Sequence, residues 1–475
     1  MRRRTYYHRS LFSGWSKWLL LVFVVAAIFY GWLQYSARQT FDVKKIVAGS
    51  ILKTKTFEKM PTEIISASGI KIWLMEDNTN PIISISFMFK RAGRAYDADG
   101  KSGTAVLASE LLNFGGADFS RADFQETMEL NGINLDFTAG LENLSGQLVT
   151  PADNLRTAAK LLRAVLHTPH FAEADLQLSK AALLEALKIQ EENPEKVLGV
   201  AFSTEVFGTH PYADNPLGKA DDINSITSAD LKQFAANHFA KDNLIIGIAG
   251  DISAEKAKET VDFIFDGLPE QSQTAELPAP ELNLQPHNKH IERHTAQIIS
   301  DFAIRGTSRL DADFYPLYIA NYIFGGSGLT SRLSISAREK EGLTYGIYTY
   351  LSPEEKAPLL LGQFSSTPEN YALMQKIMQK EWKKFAKKGA TAAELESARS
   401  YLLASYNLRF ASIGGISDML VAMQRYGLGR DFLQKRNDYI RAVTLDEVNA
   451  VAAKYFGTLP VEVSIGNLVE LEGVK

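Results

Sequence analysis

The chain contains no cysteine. Thiol catalysis, disulfide staples, zinc knuckles and iron–sulfur clusters are thereby excluded. Histidine is scarce, with eight in 475 residues. Neither sign of charge is in excess: 51 Lys+Arg stand against 55 Asp+Glu, a net charge of −4. Nucleic-acid-binding domains normally carry a basic surplus, so no nucleic-acid partner is expected. Hydrophobic residues make up 45% of the chain and charged residues 22%, which suits a globular protein with real cores. At about 100–200 residues per domain, the length predicts two to four domains.

The N-terminal region reads differently. Arg2, Arg3, Arg4, Arg9 and Lys17 precede Trp18, and the first acidic residue is Asp42. Residues 18–37 form an uncharged run of 20, rich in Leu, Val, Ile and Phe up to Leu33. At about 1.5 Å per residue such a run spans a hydrocarbon core of roughly 30 Å. Trp15, Trp18, Tyr30, Trp32 and Tyr35 lie where an aromatic belt would sit. The expectation is a cytoplasmic basic segment over 1–17 and a transmembrane helix over 18–37. The body then lies beyond the inner membrane, on the periplasmic side. A cleaved secretory signal, leaving the body free in the periplasm, is the alternative. No later segment is long and apolar enough to span.

The body is written twice. Phe114-Gly115-Gly116 recurs as Phe324-Gly325-Gly326, Thr150-Pro151 as Thr367-Pro368, and Leu183-Leu184 as Leu402-Leu403. Their collinear order marks two copies of one unit. Each copy opens on alternating apolar segments, Ile82–Phe89 and Ile298–Ile304. A helix follows, at Thr104–Asn113 and Tyr315–Phe324. Further strands come next, at Leu135–Thr150 and Tyr345–Leu351. Amphipathic helices are predicted at Asn154–Leu166, Glu173–Glu191, Tyr371–Lys388 and Ala393–Arg409. A strand closes each copy, Leu244–Gly250 and Val461–Gly466. The expected fold class is α+β: two homologous lobes, over 52–268 and 295–475, each with helices packed on a mostly antiparallel sheet. A Pro-rich linker over 269–294 would join them.

Two blocks carry a family resemblance. Residues 325–350 include Gly325-Gly326, Ser331-Arg332-Leu333 and the run Arg338-Glu339-Lys340-Glu341-Gly342-Leu343-Thr344-Tyr345. Residues 209–252 include His210-Pro211-Tyr212, Leu217-Gly218 and Ala249-Gly250-Asp251. Both resemble the pitrilysin/insulinase-type metallopeptidases, which include the mitochondrial processing peptidases. The resemblance covers roughly 60–470. In that family a helix of the first lobe carries His-x-x-Glu-His; the two His and a distant Glu bind zinc, and the motif Glu activates water.

No His-x-x-Glu-His occurs in this chain. The aligned helix places Val106 at the first His, Ser109 at the Glu and Glu110 at the second His, and the distal Glu position falls on Ala186, with Glu185 one step away. Val and Ala offer a metal no lone pair, so no zinc site of this chain's own is expected. Arg338 and Tyr345 match the family's second-lobe pair. The resemblance implies that they hold a substrate peptide and donate to its oxyanion. Gly325, Gly326 and Gly328 then read as a flexible turn that positions substrate.

Some members of the family split the two tasks between subunits. The resemblance implies that this chain is the non-zinc subunit, active only with a zinc-bearing homologous partner. The peptide or protein substrate would be bound as an added strand on a sheet edge. A peptide-binding or scaffold homologue without catalysis is the alternative. A third reading is a relocated metal site at His287, His290 and His294, against which the adjacent Lys289 and Arg293 argue by repelling a cation.

Overall fold

The run IISISFMF shows how the sequence builds the first lobe. In the computed structural model, which describes residues 59–406 and 410–468, it lies in strand β3 (Ile82–Lys90). Alternation sends Ile83, Ile85, Phe87 and Phe89 into the lobe's main core. Ser84, Ser86 and Met88 take the opposite face, and these too are buried.

Ten further strands frame the body. β1 (Thr62–Ile65), β2 (Lys71–Glu76), β4 (Asn134–Ala139), β5 (Asn143–Pro151) and β6 (Leu244–Gly250) join β3 in a sheet of order β1-β2-β6-β3-β5-β4. β7 (Asn288–Glu292), β8 (Ile298–Arg305), β9 (Ile347–Ser352), β10 (Leu359–Ser366) and β11 (Val461–Gly466) form the second, in order β7-β11-β8-β10-β9. Pairing is antiparallel except β2 with β6 and β7 with β11. If β2, β6, β3, β5 and β4 are matched to β7, β11, β8, β10 and β9, the two orders are the same. The repeated sequence landmarks therefore belong to one repeated topology. The stretch predicted over Leu135–Thr150 is a hairpin, β4 and β5. The span read as linker contains β7, which extends the second sheet alongside β11.

Six helices matter most below: α1 (Thr104–Leu111), α2 (Glu173–Glu192), α3 (Pro194–Phe207), α4 (Pro368–Lys388), α5 (Ala392–Ser405) and α6 (Ile413–Arg425). Local signals start several of them. Asn193 caps α3 by accepting from the backbone N–H of Glu195 (2.9 Å) and Lys196, with Pro194 at the first helical position. Thr391 and Glu394 form a capping box at α5.

The lobes exchange helices. α3 belongs to the first lobe by sequence but packs on the second sheet. Its Leu198, Phe202 and Val206, one helical face, meet Ala303, Val461, Val463 and Ile465. α6 lies within the second copy but covers the first sheet. Its Ile416, Leu420 and Met423 meet Trp73, Met75 and Ala249. This covering explains the doubly buried β3: the Ser417 hydroxyl lies 2.8 Å from those of Ser84 and Ser86. Gly247 permits the approach, since a Cβ there would sit 2.6 Å from the Ser417 carbonyl oxygen and 2.7 Å from Leu420 Cβ.

One element of the expected fold class is corrected. Among the described residues no helix is long and apolar enough to cross a membrane. The longest, α4 and α2 with 21 and 20 residues, have the length but carry charged residues throughout. Residues 18–37, where the sequence placed a transmembrane helix, lie outside the described residues, as do 1–17. The described residues form a mixed α/β body with two sheets.

Candidate functional site

The helix that would carry a zinc motif is α1. Asp97 caps its start, accepting from the backbone N–H of Gly103 and Ala105 at 2.8 Å each. Burial pushes the Asp97 carboxyl up to about 7 despite those bonds. Val106 packs against the first-lobe core. The buried Ser109 hydroxyl donates to the Val106 carbonyl at 2.8 Å, within its own helix. Glu110 accepts from Ser179 Oγ of α2 at 2.9 Å. Ala186 is half-buried on α2, and the neighbouring Glu185 is exposed with Lys188 at 3.4 Å. The four positions supply a single carboxylate, already engaged as an acceptor in a helix-to-helix bond. These residues do not fit a zinc ion. Among the described residues, no group of three or more His, Asp or Glu could hold a metal.

The linker histidines do not converge. His287 Nε2 meets Glu205 at 3.0 Å. His290, on β7, has Nδ1 on Ser464 Oγ and Nε2 on the Gly466 carbonyl, both at 2.9 Å. His294 Nδ1 accepts from Asn467 Nδ2 at 3.1 Å.

Arg338 lies in a π-helical turn, Ile335–Glu339. Its side chain is half-buried, and it has no hydrogen bond or ion pair among the described residues. The chain then turns at Gly342, whose φ is +65° with nothing near the missing Cβ. Tyr345 follows, 82% exposed. Two residues later begins β9, an edge strand of the second sheet. Arg338 and Tyr345 thus flank one turn and are both available to a ligand or a second chain. Neither lines the cavity of about 410 Å³ between the lobes, whose walls include Arg94, Tyr348 and Asp301.

Gly325 and Gly326 have a packing role: a Cβ on Gly325 would overlap the Thr349 hydroxyl, and one on Gly326 would come within 2.9 Å of Asn321 Nδ2. Gly328, with φ of +61° and open space around it, is the conformational turn of the three. Sequence reasoning missed the role of Arg332, whose guanidinium forks onto Glu394. It also missed an aromatic cavity in the second lobe. The signal for that cavity was present: Tyr315, Tyr318 and Tyr322 recur at helical spacing.

The body is built of two sheet-and-helix lobes, and its positions Val106, Ser109, Glu110 and Ala186 offer one carboxylate between them. Comparisons with known proteins give the relatives of this arrangement. Residues 225–402, which include Arg338 and Tyr345, match the family described as the peptidase M16 inactive domain. The chain is 26% identical over 390 residues to the "Non-peptidase homolog YmxG" of Helicobacter pylori, covering 81% of this chain and 89% of that protein. It is 25% identical over 292 residues to the "Uncharacterized zinc protease YmxG" of Bacillus subtilis, covering 60% and 69%. Among solved structures, a peptidase M16 inactive domain from Pseudomonas fluorescens matches with a TM-score of 0.81 at 28% identity, over 87% of this chain and all of that one. A Helicobacter pylori protease shares the fold, with a TM-score of 0.76 at 17% identity over 85% and 99%.

Proposed function

We propose that this chain is a catalytically incomplete subunit of a heteromeric zinc metallopeptidase. It supplies Arg338 and Tyr345 to a homologous subunit that carries the zinc and the general base. The observation that carries this reading is a contrast within one chain. Among the described residues Val106, Ser109, Glu110 and Ala186 make no metal site and the Arg338 side chain has no partner, while Tyr345, across the Gly342 turn, stands 82% exposed. A guanidinium left free is suited to a peptide carbonyl or carboxylate, and an exposed phenol to a developing oxyanion. Relatives named as zinc proteases stand beside one named as a non-peptidase, which supports a division of labour.

The test is reconstitution with a homologue that carries His-x-x-Glu-His. The complex should hydrolyse peptides and lose activity to a chelator, while the isolated chain should return no stoichiometric zinc. Arg338→Ala and Tyr345→Phe should each lower the rate by about 10²-fold, the usual loss for one oxyanion donor, with the complex still assembled. Unchanged rates in both variants would remove the assigned role. A second reading, a non-catalytic peptide-binding or scaffold homologue, is favoured by the position of both residues outside the inter-lobe cavity. It predicts complexes that form without hydrolysis.

A further inference from the structure

A cavity of about 510 Å³ lies in the second lobe between the helix Phe314–Asn321, β9, α5, α6 and the helix Phe432–Ala442. Seven of its lining residues are tyrosines. Among the described residues its only charged lining residues are Arg309 and Arg436, with no carboxylate among them. Arg309 stacks 4.5 Å from the Phe314 ring centroid and also faces Phe432 at 5.7 Å. Its Nε is buried without a partner. Arg436 is 6% exposed and donates to the Leu402 carbonyl at 2.8 Å and to Asn437 Oδ1 at 3.0 Å, both neutral groups. Glu354 and Glu142, whose charges reach the lining residue Tyr426, are already paired with Arg425. Two more polar atoms of lining residues are buried without partners: Asn321 Oδ1 and Thr349 Oγ1, on side chains 5% and 2% exposed.

Cations withdrawn from water with no carboxylate beside them are costly, and unpaired buried polar atoms add to the cost. An anion would relieve the first. A flat ring suits walls made of tyrosine and phenylalanine faces. The tyrosines also serve as donors, because burial pushes the Tyr315 hydroxyl up to about 12 and raises Tyr322, Tyr350 and Tyr426, so all stay protonated near neutral pH. The volume is that of a small-ligand pocket. We propose that this cavity binds an organic carboxylate with an aromatic body, the carboxylate taken by Arg309 and the ring seated among the tyrosines. The inference is independent of the role given to Arg338 and Tyr345, neither of which lines the cavity. Two sources share this chemistry, a free aromatic acid and the C-terminal aromatic residue of a peptide.

Calorimetric titration of the full chain tests it, with N-acetylphenylalanine, its neutral amide and the tripeptide Gly-Gly-Phe as probes. The acid should bind saturably and the amide at least about tenfold more weakly, as expected when a charge-assisted bond is lost. Arg309→Gln should weaken the acid by a similar factor while the amide is unaffected. Binding of the tripeptide as tightly as the acid upholds the site as one for peptide ends. Its exclusion with the acid still bound upholds it as one for a small acid. No saturable binding of the acid, equal binding of acid and amide, or a folded Arg309→Gln that binds the acid as the parent does would overturn the proposal. Should Arg309→Gln fail to fold, the acid–amide comparison on the parent chain decides alone.

Discussion

Arg332 sits in the Ser331-Arg332-Leu333 run, yet what it grips is structural. Its Nε and Nη2 each donate to a Glu394 carboxylate oxygen at 2.6 Å, and its guanidinium lies 4.9 Å from the Phe385 ring centroid. Glu394 also accepts from the Thr391 backbone N–H and hydroxyl. Burial works to raise this carboxyl, but the Arg332 and Thr391 bonds outweigh it and hold the group at about 2, below its ordinary 4.5. A depressed carboxylate contributes its full stability above the unfolded value and loses it as pH falls through the folded one. Glu394→Gln should therefore cost about 2 kcal/mol at pH 7, the range for bonds to charged groups. The gap to the parent should close as pH falls from 4.5 toward 2. Urea unfolding across that interval checks both statements, and a gap that stays constant would show that Glu394 does not act through its charge.

At the scale of elements, the crossing of α6 over β6 and β3 depends on one missing side chain. Gly247→Ala would press a methyl into the Ser417 carbonyl and Leu420. The variant should lose about 1–3 kcal/mol, as overpacked cores do, and denaturant midpoints would measure it. The same crossing marks the limit of what local pattern reveals. LIIGIAG and VEVSIG read as strands with the bounds they have, the first as a short apolar run and the second as an apolar–polar alternation, each closed by glycine. IISISFMF reads as half-buried, since its serines look solvent-facing until a helix more than 300 residues later in sequence is laid on them. α3 was missed even though Asn193-Pro194 is a strong helix start. That Val106, Ser109, Glu110 and Ala186 hold a single carboxylate between them was legible from residue types alone. Of the tyrosine cavity only the helical spacing of Tyr315, Tyr318 and Tyr322 was legible, because its other walls come from distant segments that only the tertiary fold brings together.

At the scale of the whole body, charge joins the lobes as well as apolar packing. Arg425, from α6, pairs with Glu354 of the second lobe and lies 3.7 Å from the buried Glu142 of the first. Glu142 in turn accepts from the Tyr212 hydroxyl. Removing the cation leaves two carboxylates partly withdrawn from water. Arg425→Met should destabilise the body by about 3 kcal/mol, the low end for a broken buried pair because this one is partly exposed. Thermal and denaturant unfolding would measure it, and a neutral substitution would show that the carboxylates find other partners. The exchanged helices carry a consequence for engineering and descent alike. A chimera that splices the front half of one relative to the back half of another must bring matching seats for both crossing helices, so the two halves are expected to be inherited as a pair and not shuffled as modules.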